Sequence, residues 1–303
     1  MIDLRRLRVL RAVAHYGTIT AAAEAMHFTT SAASQQIRQL ARELDVTLLE
    51  PHGRRVRLTP AAHRLLAHAD AIEARWEQAE IDLRTASDEP AGTVRLCGIP
   101  TAVAMLLAPA ARPLRARYPR LDVRIREVEQ EVGYNLLFDG EVDLAVVEAT
   151  WSNPPPGDPR FDQRPLADDP FDLVVPADHA LAGRDAVELV EAEREDWILP
   201  SVTCTCRRVT LAACGAAGFT PNVAHNALEW NAIAHLVANG LGVALAPRLA
   251  YLPTHLPIVR LPLTGRASPS RKLLTCTRAG GREHPAVAAV LTELSERAVT
   301  VAA

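Results

Sequence analysis

Cys204 and Cys206 stand two residues apart, and Cys214 follows eight residues after Cys206. Thiols so placed could carry redox chemistry or, joined by His225 and His235, hold a metal ion. The spacing matches no standard metal pattern, so no metal site is predicted. Cysteines two apart at a strand-to-helix turn bridge only with awkward geometry. Cys97 and Cys276 fall in apparent strands, where small buried thiols are the common state. Enzymatic signatures are missing: the chain has no G-x-S-x-G elbow, phosphate-binding P-loop, G-x-G-x-x-G fingerprint or H-E-x-x-H pair. The expectation is a protein that is not an enzyme and needs no cofactor.

A different chemistry is offered by the stretch "TTSAASQQIRQL", Thr29 to Leu40. Surface helices ordinarily favour Glu and Lys, which form helix better than Ser or Thr. Here Ala33, Ile37, Leu40 and Leu44 mark one apolar face, and Ser31, Ser34, Gln35 and Arg38 lie opposite. Gln, Ser and Arg hydrogen-bond to base edges in a major groove, and hydroxyls reach phosphates.

The elements that would position these groups follow the same logic. Leu4, Leu7, Leu10, Val13 and Ala14 predict a first helix ended by Gly17. Thr18 can cap a second, "ITAAAEAM", and Thr29 or Thr30 a third. Short helices with a tight turn and a polar outer face make a helix-turn-helix. "EPHGRRVRLTP" then predicts a short hairpin, a wing, with Arg54 and Arg55 at its tip for a minor groove or its phosphates. Thr59-Pro60 opens a long helix on which Leu65, Ala69, Ile72, Trp76, Ala79 and Leu83 form a heptad seam. That seam is expected to pair with a second copy.

Beyond "SDEPAG" strand and helix patterns alternate, which predicts an α/β protein with largely parallel sheets. Three strand ends lead into helices there: Pro100-Thr101, Ser201-Val202-Thr203-Cys204, and Glu229-Trp230-Asn231. Ligands of open α/β sheets bind at such ends, and helix N-termini favour anions. Glu229 adds negative charge, and no Arg sits at these three places. Trp230 could stack on a ring or line an apolar wall.

Bulk properties agree. The 303 residues, 49% hydrophobic, suffice for about two domains of ~150 residues. The net charge of -3 hides an asymmetry: residues 1–60 carry nine Arg and five acids, leaving -7 for the remainder. A basic front and an acidic back suit a DNA-binding module fused to something else. Only Lys272 is a lysine. No apolar run reaches ~20 residues. The N-terminus "MIDLRRLRVL" lacks a signal layout, and five cysteines suggest reduced thiols in a cytoplasmic protein.

"LRVLRAVAHYGTITAAAEAMHFTTSAASQQIRQLARELDVTLLE", closed by "GRRVRLTPAA", resembles the LysR-type transcriptional regulators, and the order of elements continues through nearly all of the chain. The resemblance implies an α+β multi-domain protein: a winged helix-turn-helix at 1–58 and a dimerising linker helix at 59–87. A hinge at 88–92 leads to a two-lobed, periplasmic-binding-protein-like α/β effector domain. Lobe I takes 93–163 with 269–303, and lobe II takes 164–268. By position, DNA contact falls to Thr30, Ser31, Ser34, Gln35 and Arg38, with Arg54 and Arg55 on the wing. The family commonly has Pro where Ser31 stands, and Arg in place of Gln35 and Pro51, so base preference does not transfer. The resemblance also implies a partly palindromic double-stranded operator, a dimer or tetramer, and RNA polymerase as a partner if the protein activates. A small organic effector, a carboxylate being typical, would bind between the lobes. Some relatives instead sense oxidants through cysteine pairs, the alternative for Cys204, Cys206 and Cys214.

Overall fold

The computed structural model describes residues 3–52, 55–84, 89–129, 132–202 and 204–302. Arg54 and Thr203 lie outside the described residues, as do the side chains of Arg55 and Leu83.

The head begins with α1 (Leu4–Tyr16), α2 (Ile19–Ala25) and α3 (Thr30–Glu43). Each is punctuated as its sequence demands. Asp3 accepts from the Arg5 N–H at 2.9 Å, Thr18 from Ala21 at 3.1 Å and Thr29 from Ala32 at 3.2 Å. Gly17 closes α1 in the left-handed region, φ 76°, which an L side chain adopts reluctantly. Leu7, Leu10 and Val13 pack with Ala22, Ala23, Ala33, Ile37 and Leu40 in one core. A fully buried Leu contributes about 1.5–3 kcal/mol, so these few residues hold α3 in place. β1 (Leu49–His52) and β2 (Arg55–Leu58) pair antiparallel as the wing, with Leu49 opposite Leu58.

Thr59 caps α4 (Pro60–Arg84), accepting from the Ala62 N–H at 3.1 Å. The heptad seam divides along this helix. Ala69 is fully buried and Leu65 partly so, both against the head's own core. Ala69 is thus spent inside one chain, and Leu65 in part. Ala79 is half-buried, whereas Ile72 and Trp76 are 44% and 52% exposed.

The remaining elements build two lobes. Lobe I has β3 (Gly92–Gly98), α5 (Pro100–Ala102), a π turn (Val103–Leu107), α6 (Ala108–Arg117), β4 (Leu121–Glu127), α7 (Val132–Phe138) and β5 (Leu144–Glu148). The helical ladder widens just before Pro109, which has no N–H to contribute to it. Strand β6 (Phe161–Pro176) then runs through both lobes. Lobe II adds β7 (Val187–Glu188), β8 (Asp196–Pro200), α8 (Thr205–Ala216), β9 (Asn222–Ala227), α9 (Trp230–Ala238), β10 (Ala244–Pro247) and β11 (Ile258–Thr264). β12 (Ser270–Arg278) and α10 (Pro285–Ala302) return to lobe I.

The main sheet runs β4-β3-β5-β12-β6-β11-β7, with β10 also on β6. Its pairings are mixed rather than largely parallel. β3 is parallel to β4 and β5, but β12 is antiparallel to β5 and β6, and β10 and β11 are antiparallel to β6. The first lobe crossing also lies later than the expected 163/164 boundary. β6 stays paired with β12 up to Pro170 and joins β10 and β11 from Phe171 onward. One long strand is the crossing, and hydrophobic pattern alone does not reveal where its partners change.

Candidate functional site

The DNA-facing surface follows from the head core. With Ala33, Ile37 and Leu40 facing inward, Thr30, Ser31, Gln35 and Arg38 are exposed and Ser34 is half-buried. Ser31 Oγ lies 3.1 Å from Thr29 Oγ1. Arg38 has no ion-pair partner among the described residues, which leaves its charge for a phosphate or a guanine edge. Two other guanidinium groups of the head are committed, Arg11 to Asp70 at 2.7 Å and Arg57 to Glu50 at 3.0 Å.

Between the lobes a buried polar cluster gathers around Arg271. Its Nε donates to Asp169 Oδ2 at 2.8 Å and its Nη2 to Thr101 Oγ1 at 2.8 Å. Nη1 stands 3.8 Å from Glu148 and 3.8 Å from the Cys206 sulfur. Thr205 donates to Glu148 at 2.7 Å, and Asp169 also accepts the Leu249 N–H at 3.0 Å. Thr101 and Glu148 come from lobe I, Cys206 and Thr205 from α8, Asp169 from β6 and Arg271 from β12. Burial works against the Arg271 charge, yet the Asp169 and Glu148 carboxylates beside it hold its pKa above the ordinary value.

Cys204 is the N-cap residue of α8 and is half-buried. Its sulfur lies next to the Cys206 thiol and the first N–H groups of α8, those of Cys206 and Arg207. Together these outweigh desolvation and bring the Cys204 pKa down to about 6. Cys206, which pairs with Cys204 and is buried, is pushed up. The two thiols titrate as a pair. Burial raises Cys97 to about 12 and Cys214 to about 11, and Cys276 upward likewise. Cys214 lies eight residues along α8 from Cys206, about 12 Å at 1.5 Å per residue, beyond the reach of a disulfide in an intact helix.

The predicted effector residues thus separate. Thr101 and Cys204 enter the cluster. Ser201 is half-buried beside it, while Pro100, Val202, Glu229 and Asn231 are exposed. Trp230 is half-buried and packs against the apolar cores of lobe II. Sequence reasoning missed Arg271, Glu148, Asp169 and Thr205. A usable signal existed for the first: in "SRKLLTCTR" Arg271 is in phase with Leu273 and Thr275, the inward-facing positions of its strand.

Two sequence profiles match this arrangement. Residues 4–63 match the bacterial regulatory helix-turn-helix protein, lysR family, and residues 87–299 match the LysR substrate binding domain. The chain belongs to the LysR family of transcriptional regulators. Among similar proteins is a probable hydrogen peroxide-inducible genes activator of Streptomyces viridosporus. It is 33% identical over 96% of this chain and 94% of its own. The transcriptional dual regulator GltC of Bacillus subtilis is 28% identical over 84% and 83%. A full-length OxyR variant from Pseudomonas aeruginosa has the same fold, with a TM-score of 0.64 at 21% identity over 97% and 95% of the two chains. A Corynebacterium glutamicum OxyR cysteine mutant with hydrogen peroxide bound superposes at 0.62, with 22% identity over 99% and 94%. This LysR-type protein is therefore a DNA-binding transcriptional regulator, with a winged helix-turn-helix head and a two-lobed effector domain. Among the described residues no helix is long and apolar enough to cross a membrane.

Proposed function

We propose that this regulator responds to a peroxide-type oxidant through Cys204. The observation that carries the reading is the placement of Cys204 as the N-cap residue of α8, two residues before Cys206, whose sulfur lies 3.8 Å from Arg271 Nη1. A carboxylate effector fits this cluster less well. Glu148 and Asp169 already outnumber the single guanidinium of Arg271, so another anion meets repulsion. A neutral, water-sized oxidant needs no cation to enter. The Cys204 thiolate attacks one peroxide oxygen, forming an S–O bond as the O–O bond breaks. Hydroxide leaves, takes a proton and departs as water, and Cys204 is left as sulfenic acid. Oxidation removes the negative charge from the Cys204 sulfur beside Cys206 and Glu148 and so changes the balance between lobe arrangements. The peroxide-inducible relative in Streptomyces viridosporus supports this class of signal.

On the DNA side the reading assigns base and phosphate contacts to Thr30, Ser31, Ser34, Gln35 and Arg38, with the wing arginines Arg54 and Arg55 beside them. A dimer joined through Ile72 and Trp76 on α4 would present two heads to a partly palindromic operator in the cytoplasm. The test is a footprint on the DNA upstream of the protein's own gene, with and without hydrogen peroxide, for the parent and for Cys204→Ser. The reading expects blocks of protection about one helical turn apart that shift with peroxide in the parent and stay fixed in the variant. An identical shift in Cys204→Ser would refute the sensing assignment while leaving the DNA assignment intact.

A further inference from the structure

The head does not hang from α4 alone. Phe138, the last residue of α7, packs at once against the head core and against the lobe I core. The His15 ring of α1 lies flat on it, with centroids 4.1 Å apart and planes 7° apart. Both ring nitrogens are engaged across the junction. Arg160 Nη1 donates to Nδ1 at 2.9 Å, and Nε2 donates to Asn135 Oδ1 at 2.8 Å. A guanidinium only donates, so His15 is neutral with its proton on Nε2. Asp158 holds Arg160 in place through bonds of 2.9 and 2.7 Å. Burial is the chief reason the His15 pKa falls to about 4, so this arrangement persists at neutral pH.

Two further contacts flank the stack. Tyr16 Oη donates to Asp139 at 2.5 Å, and the Arg11 guanidinium sits 5.1 Å from the Phe138 centroid. Behind them the turn at Gly280 meets α4 so closely that a Cβ there would lie 2.7 Å from the Ala74 carbonyl oxygen. α1 of the head and the linker helix α4 thus touch three separate parts of lobe I: α7, the loop before β6 and the turn after β12. A head tethered only by its hinge would need none of these complementary groups.

We infer that the surface of lobe I formed by Asn135, Phe138, Asp139 and Arg160 is a docking site for α1 of the same chain, and that head and lobe I move as one body. Lobe II is then the moving part. A change at the inter-lobe cluster turns lobe II against a unit whose recognition helix is already aimed. This inference holds whatever the effector proves to be.

The scarcity of lysine makes a direct test possible. Tyr16→Lys places an amine where the tyrosine hydroxyl meets Asp139, and a zero-length carbodiimide can join the two in the full-length protein. Lys272, 3.4 Å from Asp168, supplies an internal control link in every sample. The expected result is a 16–139 link at monomer mass, in a yield comparable to 168–272 and unchanged by duplex DNA from upstream of the gene. Tyr16→Glu combined with Asp139→Lys should give the same link with the roles reversed, which covers a folding failure of the first variant. The inference is overturned if 168–272 forms while 16–139 does not, in both variants. It is equally overturned if the 16–139 link appears only at dimer mass, or is lost on adding DNA.

Discussion

The recognition face of α3 and the cluster around Arg271 are built on opposite principles. The first is a set of exposed polar side chains with few partners, held in place by apolar residues one helix face away. The second is buried, fully cross-bonded, and collected from five elements between Thr101 and Arg271. A surface meant for DNA keeps its donors free, because a committed guanidinium cannot also serve a phosphate. A buried sensor must satisfy every charge internally, because an unpaired one costs several kcal/mol. Damage should therefore appear as lost binding in one region and lost stability in the other.

The sharpest way to break that contrast is Arg271→Met. It strands Glu148 and Asp169 without their cation and should lower unfolding stability by about 3–5 kcal/mol, read from a urea titration. A loss no larger than that of an ordinary surface substitution would mean the cluster is not closed as described. Arg38→Ala should do the reverse. Stability should stay within about 0.5 kcal/mol of the parent, while operator binding weakens by about 1–3 kcal/mol and the salt slope falls by about 1. Equal salt slopes for variant and parent would remove Arg38 from the interface.

Thr101→Val sharpens the comparison at one bond. It deprives Arg271 Nη2 of an acceptor, worth about 1–3 kcal/mol, and should blunt the effector response while sparing operator affinity. An undiminished response would detach Thr101 from sensing. A separate effect concerns His15, which belongs to neither region but joins head to lobe I. Its folded pKa of about 4 lies below the ordinary 6.5, so the unfolded chain binds more protons between those values. Its contribution to stability is thus complete above about pH 6.5 and drains away as pH falls toward 4. His15→Gln should flatten that part of the stability–pH curve. A curve of the same slope would assign the acid sensitivity elsewhere.

The same contrast explains what was legible in the sequence. The head could be read residue by residue, because caps such as Thr18, Thr29 and Thr59 and the apolar spacing of α3 are local signals. The seam on α4 was readable as a periodicity, but not its division. Whether Ala69 faces the head or a second copy depends on where α1 lies, and period alone does not say. The cleft was half legible. Thr101 and Cys204 announce themselves as strand ends leading into helices. Glu148 and Asp169 look like ordinary acids in strands, and Arg271 lies 170 residues from the threonine it bonds. Long-range pairing brings these groups together, and the register of β12 against β5 and β6 decides which of its residues point inward.

The most direct test of the central claim is the pH dependence of Cys204 alkylation in the full-length protein, resolved by mass spectrometry against the other cysteines. A thiolate stabilised by the Cys206 thiol and the start of α8 should react with a half-maximum near pH 6, while Cys97, Cys214 and Cys276 stay silent through neutral pH. Reaction at Cys204 that rises only around the ordinary thiol pKa of about 8.5 would contradict the account and return the cleft to a conventional small-molecule effector.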